Sequence, residues 1–530
     1  MRMIKWPFIL ILILSLSGMS IAQTKISGLV DGEVWTTDQS PIHISGDLTV
    51  LQLTIQPGVQ VLFDGNYRMT VSGLLKAAGT EQDSIIFCAA ESNTSGWADI
   101  YFNNADANSQ LKFCRISQVT ANPALEINST DFNLQHVMIS GNQAAGIKLT
   151  ASTVQLERCT IRNNGLQGAL VESGSQLNLT ACKISGNQDT GLETSDGQIT
   201  LQNSIVSFNQ KEGILLSNTG DKLNCTNSVI AYNSQEGIIN IGGTHNIVNS
   251  IIYFNSAAQQ IVKISGSGQV NYSDVAQTGL GGTGNIMDDP LFADANTFEL
   301  QTNSPAIDAG NPATSYNDRY FPPSRGTERN DMGAFGGPYA RKWFPPVFVQ
   351  PDTLNFGNVS LGDSLILNLK LKNYSDNVLT ISRISITGAN ANQFRLNDSF
   401  VNINLPMADS LLVPVTFKPL QTSSLPYHAQ LLISTNLEPK TLPLIGTVVT
   451  PNIFTLPDQL TFDPVAVSEI DSRLIKIFNT GTDTLYIDSL RFSEPSFSAI
   501  LPETALAPYS ENYLPLTVFF SPDTIGAIED

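Results

Sequence analysis

An isoleucine or valine returns along the middle of this chain at Ile116, Ile139, Ile161, Ile184, Val206, Ile230 and Ile252, at intervals of 22 to 24 residues. Three residues after six of these anchors stands an asparagine: Asn142, Asn164, Asn187, Asn209, Asn233 and Asn255. Four residues after five of those comes a glycine: Gly146, Gly168, Gly191, Gly213 and Gly237. Apolar pairs such as Leu177/Leu179 and Ile199/Leu201 sit seven and five residues before the anchors. A fixed period of this length, built from short alternating segments, specifies a solenoid. Helical solenoids would show a 3.6-residue period, which is absent, and leucine-rich repeats place their leucines and asparagine at other offsets. What remains is a parallel β-helix, each coil advancing about 4.8 Å along the axis.

Alternation with period 2 then sends the anchor, and the residues two, five and seven before it, into the interior over roughly ten coils between Ser45 and Tyr272. The asparagine has a mechanical task in this frame. At a tight turn it tolerates left-handed φ, its amide reaches neighbouring backbone, and amides stacked in successive coils can bond to one another as a ladder. Turn chemistry accounts for the position without a row of ligand-binding amides. Phe208, Tyr232 and Phe254 each precede a ladder asparagine. Parity places them inward as a buried aromatic stack; the competing reading is a platform for sugars. The five cysteines follow the coil and not a metal-ligand spacing. They read as small buried residues, with Cys159 and Cys182 near enough in adjacent coils for a disulfide in an oxidising compartment.

Charge narrows the partners. The formal net charge is −19, with 14% charged residues and no basic cluster past the N-terminus, which disfavours nucleic acid. The N-terminal residues have Arg2 and Lys5, then an apolar run, then Ser20 and Ala22. This is the layout of an export signal cleaved after Ala22, leaving a mature chain with no transmembrane segment, secreted or at the cell surface.

The stretches "GDLTVLQLTIQPGVQVLFDGNYRMTVSGLLKAAGT" and "DSIIFCAAESNTSGWADIYF" resemble the opening coils of secreted bacterial right-handed β-helix proteins of the pectin-lyase-like superfamily. "NIMDDPLFADANTFELQTNSPAIDAGNP" and "RNDMGAFGGP" resemble their closing segment. The resemblance implies a β-helix over 23–275 closed by 276–342.

Beyond "RKWFPP" the pattern changes. "LNFGNVSLGDSLILNLKLKNYSDNVLTI" from Leu354 is echoed by "LTFDPVAVSEIDSRLIKIFNTGTDTLYI" from Leu460. Strands of alternating polarity broken by Asn, Gly, Asp and Pro predict two β-sandwiches, 343–449 and 450–530. They resemble immunoglobulin-like domains of the Hydin and abnormal-spindle type. The second copy lacks the counterpart of "HAQLLISTNLEPKTLPLIGT" and is expected to be an incomplete sandwich.

Resemblance to pectin-lyase-like enzymes implies a groove on an outer face, with carboxylates for Ca²⁺ and an Arg or Lys as base, or paired Asp residues for hydrolysis. The outward positions after the turn glycine include Lys148, Glu172 and Glu193, interspersed with Leu170, Leu215 and Ile239, and the sequence displays no dense acidic cluster beside an arginine. In the acidic closing segment, Asp288, Asp289, Asp308, Asp318 and Asp331 offer oxygen ligands for Ca²⁺, with Asp308 and Asp331 the candidates, or cap the turns that seal the end of the solenoid. The "GDSL" at Gly362–Leu365 has no D-x-x-H partner, and His43, His136, His245 and His428 are scattered. No cofactor motif is present. Two functions stand: an exported structural or binding protein, adhesin-like, taking a polysaccharide or cell-surface component on the β-helix with sandwiches as spacers; or a polysaccharide lyase or glycoside hydrolase. Three carboxylates converging with an Arg or Lys favour the enzyme, and a smooth, charge-poor face opposes it.

Overall fold

The computed structural model describes residues 24–508 and 512–529. The export signal expected at 1–22 lies outside these residues. Two compact units divide between Trp343 and Phe344, and each is described by itself.

The first unit is a parallel β-solenoid. A representative coil consists of Ala169–Glu172, Gln176–Thr180 and Lys183–Ser185. Each strand pairs in register with its counterpart one coil on, building three parallel ladders, here sheets I, II and III in that order. Coiling begins upstream of Ser45, because Thr24–Trp35 already pairs in parallel with Ile42–Ile55. Leu177, Leu179, Cys182, Ile184 and Leu192 fill the bore and are buried, as alternation requires. The opening coils hold larger groups, with Trp97 stacked on Phe63 at 3.9 Å.

The corner from sheet III to sheet I carries the asparagines, and the chain reverses there one residue earlier than the sequence suggests. Left-handed φ belongs to Gly141 (68°), Asn163 (54°), Gly186 (66°), Phe208 (57°), Tyr232 (56°) and Phe254 (58°), and not to the asparagine that follows each. That single reversal breaks the alternation. It turns the left-handed residue's side chain outward and the next side chain inward. The glycine of "ISGN" therefore supplies the conformation that costs any other residue strain. With ordinary φ, the asparagines form a buried column. Asn142 Nδ2 donates to Asn164 Oδ1 (2.8 Å), Asn164 to Asn187 (3.0 Å), Asn187 to Asn209 (2.9 Å), Asn209 to Asn233 (2.9 Å) and Asn233 to Asn255 (2.8 Å). Gln260 Oε1 accepts from Asn255 at the far end (2.8 Å). The glycine four residues on is required by closeness. A Cβ at Gly191 would stand 2.7 Å from both Asn209 Nδ2 and the Gly213 carbonyl.

The same reversal corrects the placement of Phe208, Tyr232 and Phe254. They stack outside the bore, Phe208 on Tyr232 at 5.2 Å and Tyr232 on Phe254 at 5.0 Å. Phe298 of the closing segment packs obliquely on the first two, and Phe292 on the third.

At the corner from sheet II to sheet III, backbone amides donate to side chains one coil on: Cys182 N to Ser204 Oγ, Ser204 N to Ser228 Oγ and Ser228 N to Ser250 Oγ, at 3.1–3.2 Å. Here too one residue per coil is left-handed, including Asn203, Asn227 and Asn249. The amide of Asn203 donates outward to the Ala334 and Gly336 carbonyls (2.9 and 2.7 Å), and that of Asn227 to Asn330 Oδ1 and the Asp331 carbonyl (3.1 and 2.9 Å). Asn249 Oδ1 accepts from the Asn311 amide (2.7 Å). The "RNDMGAFGGP" stretch is thus the strip that lies on this column. Only the start of the closing segment covers the end of the solenoid; the rest of it runs back along the flank. Lys183 Nζ donates to the Asn296 carbonyl (2.7 Å), and Lys342 reaches Glu157 (3.1 Å). The end itself is covered by the loop after Val275, whose Leu280 packs on the interior core.

The second unit contains two sets of sheets. In the first, Val347–Gln350, Leu365–Asn373, Ser410–Phe417 and Phe394–Leu396 form one sheet, and Leu354–Ser360, Lys440–Val449, Tyr427–Thr435, Leu379–Thr387 and Val401–Leu405 the other. One core, with Leu371, Leu379, Phe417 and Ile433, joins them. In the second set, Ile453–Leu456, Asp471–Asn479, Leu514–Phe520 and Phe497–Ile500 form a sheet, and Leu485–Tyr486 pairs with Ala505–Leu506 as a two-stranded one. The repeated asparagine does the same work in both. Asn373 Nδ2 donates to the Asn377 and Leu405 carbonyls, and Asn479 Nδ2 to the Asp483 and Leu506 carbonyls, at 2.6–2.9 Å.

Candidate functional site

Because the strands of sheet I are in register, its outward residues form straight columns. One runs Tyr101, Glu126, Lys148, Leu170, Glu193, Leu215, Ile239. Six strand spacings make it roughly 30 Å long. At its upstream end the structure brings together residues that no repeat spacing reveals. Arg68 Nε and Nη2 donate to Asp99 Oδ1 and Oδ2, both at 2.6 Å, and Nη2 also reaches Glu126 Oε2 at 3.2 Å. The guanidinium lies 4.7 Å from the centre of the Tyr101 ring. Asn128 Nδ2 approaches the Tyr101 hydroxyl at 3.4 Å. An arginine beside two carboxylates is therefore present, contrary to the sequence expectation. Arg68 and Asp99 come from opening coils 31 residues apart in number, outside the regular 22–24 period, so an alignment of repeats could not pair them.

The electrostatics follow from burial. Asp99 has no exposed surface, whereas Arg68 and Glu126 keep about a third and a quarter of their side chains in solvent. Burial pushes the Asp99 carboxyl above the usual carboxylate range against the pull of Arg68. The hydrogen bonds that Arg68 donates to Asp99 in turn raise Arg68. An arginine so held is a firmly protonated cation, suited to holding an oxygen ligand and poorly suited to removing a proton. Further along, Lys148 pairs with Glu172 at 3.1 Å, and Glu193 Oε2 accepts from Gln167 at 2.8 Å. Leu170, Leu215 and Ile239 are half-buried between them. The face is neither smooth nor charge-poor, but Arg68 and Lys148 on it are both joined to carboxylates.

Three aspartates of the closing segment, Asp308, Asp318 and Asp331, serve backbone. Asp331 accepts from the Asp308 and Arg325 amides (2.9 and 2.7 Å), Asp308 from the amide and hydroxyl of Thr327 (both 2.8 Å), and Asp318 from the Asp331 amide (3.1 Å) and the Gly337 amide. Among the described residues, no group of three or more His, Cys, Asp or Glu side chains is placed to hold a metal ion. The histidines stay apart. His43 Nδ1 meets Asp64 at 2.6 Å, His136 stacks on Phe113 with its imidazole pushed down to about 4 by burial, and His245 sits buried beside Asn240. All five cysteines are free thiols, four of them buried. No helix among the described residues is long and apolar enough to cross a membrane.

The family model described as "Right handed beta helix region" matches residues 98–257. That stretch of the solenoid is a right-handed β-helix. No curated protein matches the chain. Among solved structures, pectate lyase Pel9A is similar at 15% identity over 54% of this chain and 87% of its own, with a TM-score of 0.30. Full-length tailspike protein 2 from Escherichia coli O157:H7 bacteriophage CAB120 is similar at 12% identity over 94% of this chain and 64% of its own, with a TM-score of 0.27. A protein of unknown function from Porphyromonas gingivalis W83 is similar at 13% identity over 34% of this chain and 84% of its own, with a TM-score of 0.17.

Proposed function

We propose that this is an exported, adhesin-like protein that binds a polysaccharide or other cell-surface glycan along the outer face of sheet I. Its two C-terminal sets of sheets act as immunoglobulin-like spacers. The observation that carries this reading is the straight column from Tyr101 to Ile239, with the Arg68–Asp99–Glu126 cluster at its head. A long face with alternating polar and aliphatic side chains suits an extended chain of hydroxyl-bearing rings. Binding is favoured over lyase chemistry because Arg68 is held protonated by two carboxylates, and over hydrolysis because Asp99 is buried in that pair.

The test is a glycan array with the purified full chain, followed by calorimetry on the best ligand. Tyr101→Leu and Lys148→Ala, which leave the Arg68–Asp99 pair intact, are expected to weaken binding at least about tenfold, or about 1.4 kcal/mol. Unchanged affinity in both variants overturns the assignment to sheet I. Release of reducing ends or unsaturated sugars by the wild type, assayed with and without Ca²⁺, would replace the binding reading with the enzymatic one.

A further inference from the structure

Ile205, Val229 and Ile251 form an outward column on sheet III that is apolar and covered by the closing segment. The next member of that column is Asp274. It lies on the two-residue strand Asp274–Val275, between Ile251–Tyr253 on one side and a bridge to Ile286 on the other. Asp274 has no exposed surface, and neither carboxylate oxygen has a hydrogen-bond partner. The groups that face it make matters worse for a negative charge. Asp288 and Asp289 approach from the stretch that covers it, and Tyr253 presents a phenol from the neighbouring strand. Met332 and Gly333, over Ile251, bring no charge, and no lysine or arginine is among the charges acting on Asp274. A buried carboxylate with neither donors nor a cation is strongly disfavoured, so the packed arrangement holds the neutral acid.

We propose that Asp274 is a pH-operated latch, whose protonated form holds residues 276–292 against the last coil and whose ionisation releases them. The released stretch includes Leu280, which covers the end of the bore, and Phe292, which packs on the aromatic column at Phe254. Burial, reinforced by Asp288 and Asp289, pushes the Asp274 carboxyl up to about 8. In the released state it returns to the ordinary aspartate value of about 3.9. A group raised in the docked state favours docking fully below the lower value and loses that contribution as pH rises through the upper one. Docking therefore weakens about tenfold per pH unit from about pH 4 to about pH 8, and levels off above.

Hydrogen exchange on the full chain tests this, with protection of peptides from 276–292 corrected for the intrinsic pH dependence of exchange. Wild-type protection is expected to fall about a thousandfold between about pH 5 and about pH 8. Asp274→Asn and Asp274→Ser should hold it flat, while Asp318→Asn, altered elsewhere in the closing segment, should follow the wild type. Wild-type protection that does not change with pH overturns the latch whether or not either variant folds. So does a wild-type slope retained in the Asn and Ser variants. Added Ca²⁺ that restores wild-type protection at the alkaline end, but leaves the variants unmoved, would make a cation the neutralising partner and overturn the proton latch.

Discussion

Two columns of asparagine run up this solenoid on different corners and do opposite things. Asn142 to Asn255 point into the molecule and bond to one another, whereas Asn203, Asn227 and Asn249 point out and bond to the closing segment. The residue type is the same and the environments are equally buried. What differs is backbone φ, ordinary in the first column and left-handed in the second. An asparagine's role in a β-helix is thus set by where the corner places its reversal, and the amide then takes whatever partner that direction offers.

Replacing a member of each column should separate the two roles. Asn187→Ala removes the acceptor used by Asn164 and the donor to Asn209, leaving buried polar groups unpaired in two coils. It should destabilise the first unit by about 3 kcal/mol, seen as a lower midpoint in chemical unfolding. Asn227→Ala removes bonds to Asn330 and Asp331 and puts alanine at a φ of 44°. The expected loss is about 2 kcal/mol, felt first as faster proteolysis within 276–343 while the coils remain folded. Asn227→Gly relieves the backbone term alone, so if it is as damaging as alanine, the amide bonds dominate. Tyr232→Ala, on the covered flank, should cost only about 1 kcal/mol, since the ring is outside the bore and part-exposed.

The smallest effect concerns pH. Burial pushes Asp318 up to about 8, reinforced by the Asp331 charge, and pushes Asp331 up to about 6, against the pull of the backbone amides and of its hydrogen bond with Asp318, across the pair that organises the closing strip. Both are raised, so their contribution to docking is complete below the ordinary carboxylate range and is lost as pH rises through about 6 to about 8. Asp318→Asn should therefore flatten the decline in thermal stability over that window. An unaltered pH profile of melting temperature would show that the backbone amides, and not the protonation of Asp318, set the strength of this pair.

The repeat made the solenoid legible, and with it the inward residues from Phe132 to Ile252, because each coil repeats the same burial problem. It misled at Phe208, Tyr232 and Phe254, where counting by twos fails across a left-handed residue. The sandwiches teach the converse lesson. Leu460–Phe462 reads like Leu354–Phe356, yet only the first copy's segment is a strand. Leu354–Ser360 has Lys440–Val449 to pair with, and among the described residues the second copy has no counterpart. A strand exists only with a partner to receive its hydrogen bonds.

The candidate site was the least legible part. Lys148, Glu172 and Glu193 were visible as outward charges because they fall within the regular coils. Arg68, Asp99, Tyr101 and Glu126 were not, since the opening coils vary in length and only the folded register brings them together. Period and alternation are local properties, written in every coil, so the sequence alone determined that this chain winds into a parallel β-helix and which residues line its bore. The direction of each corner residue, the return of the closing segment along the flank and the burial of Asp99 and Asp274 depend on contacts between distant segments. Those contacts have no period, and only the tertiary structure decided them.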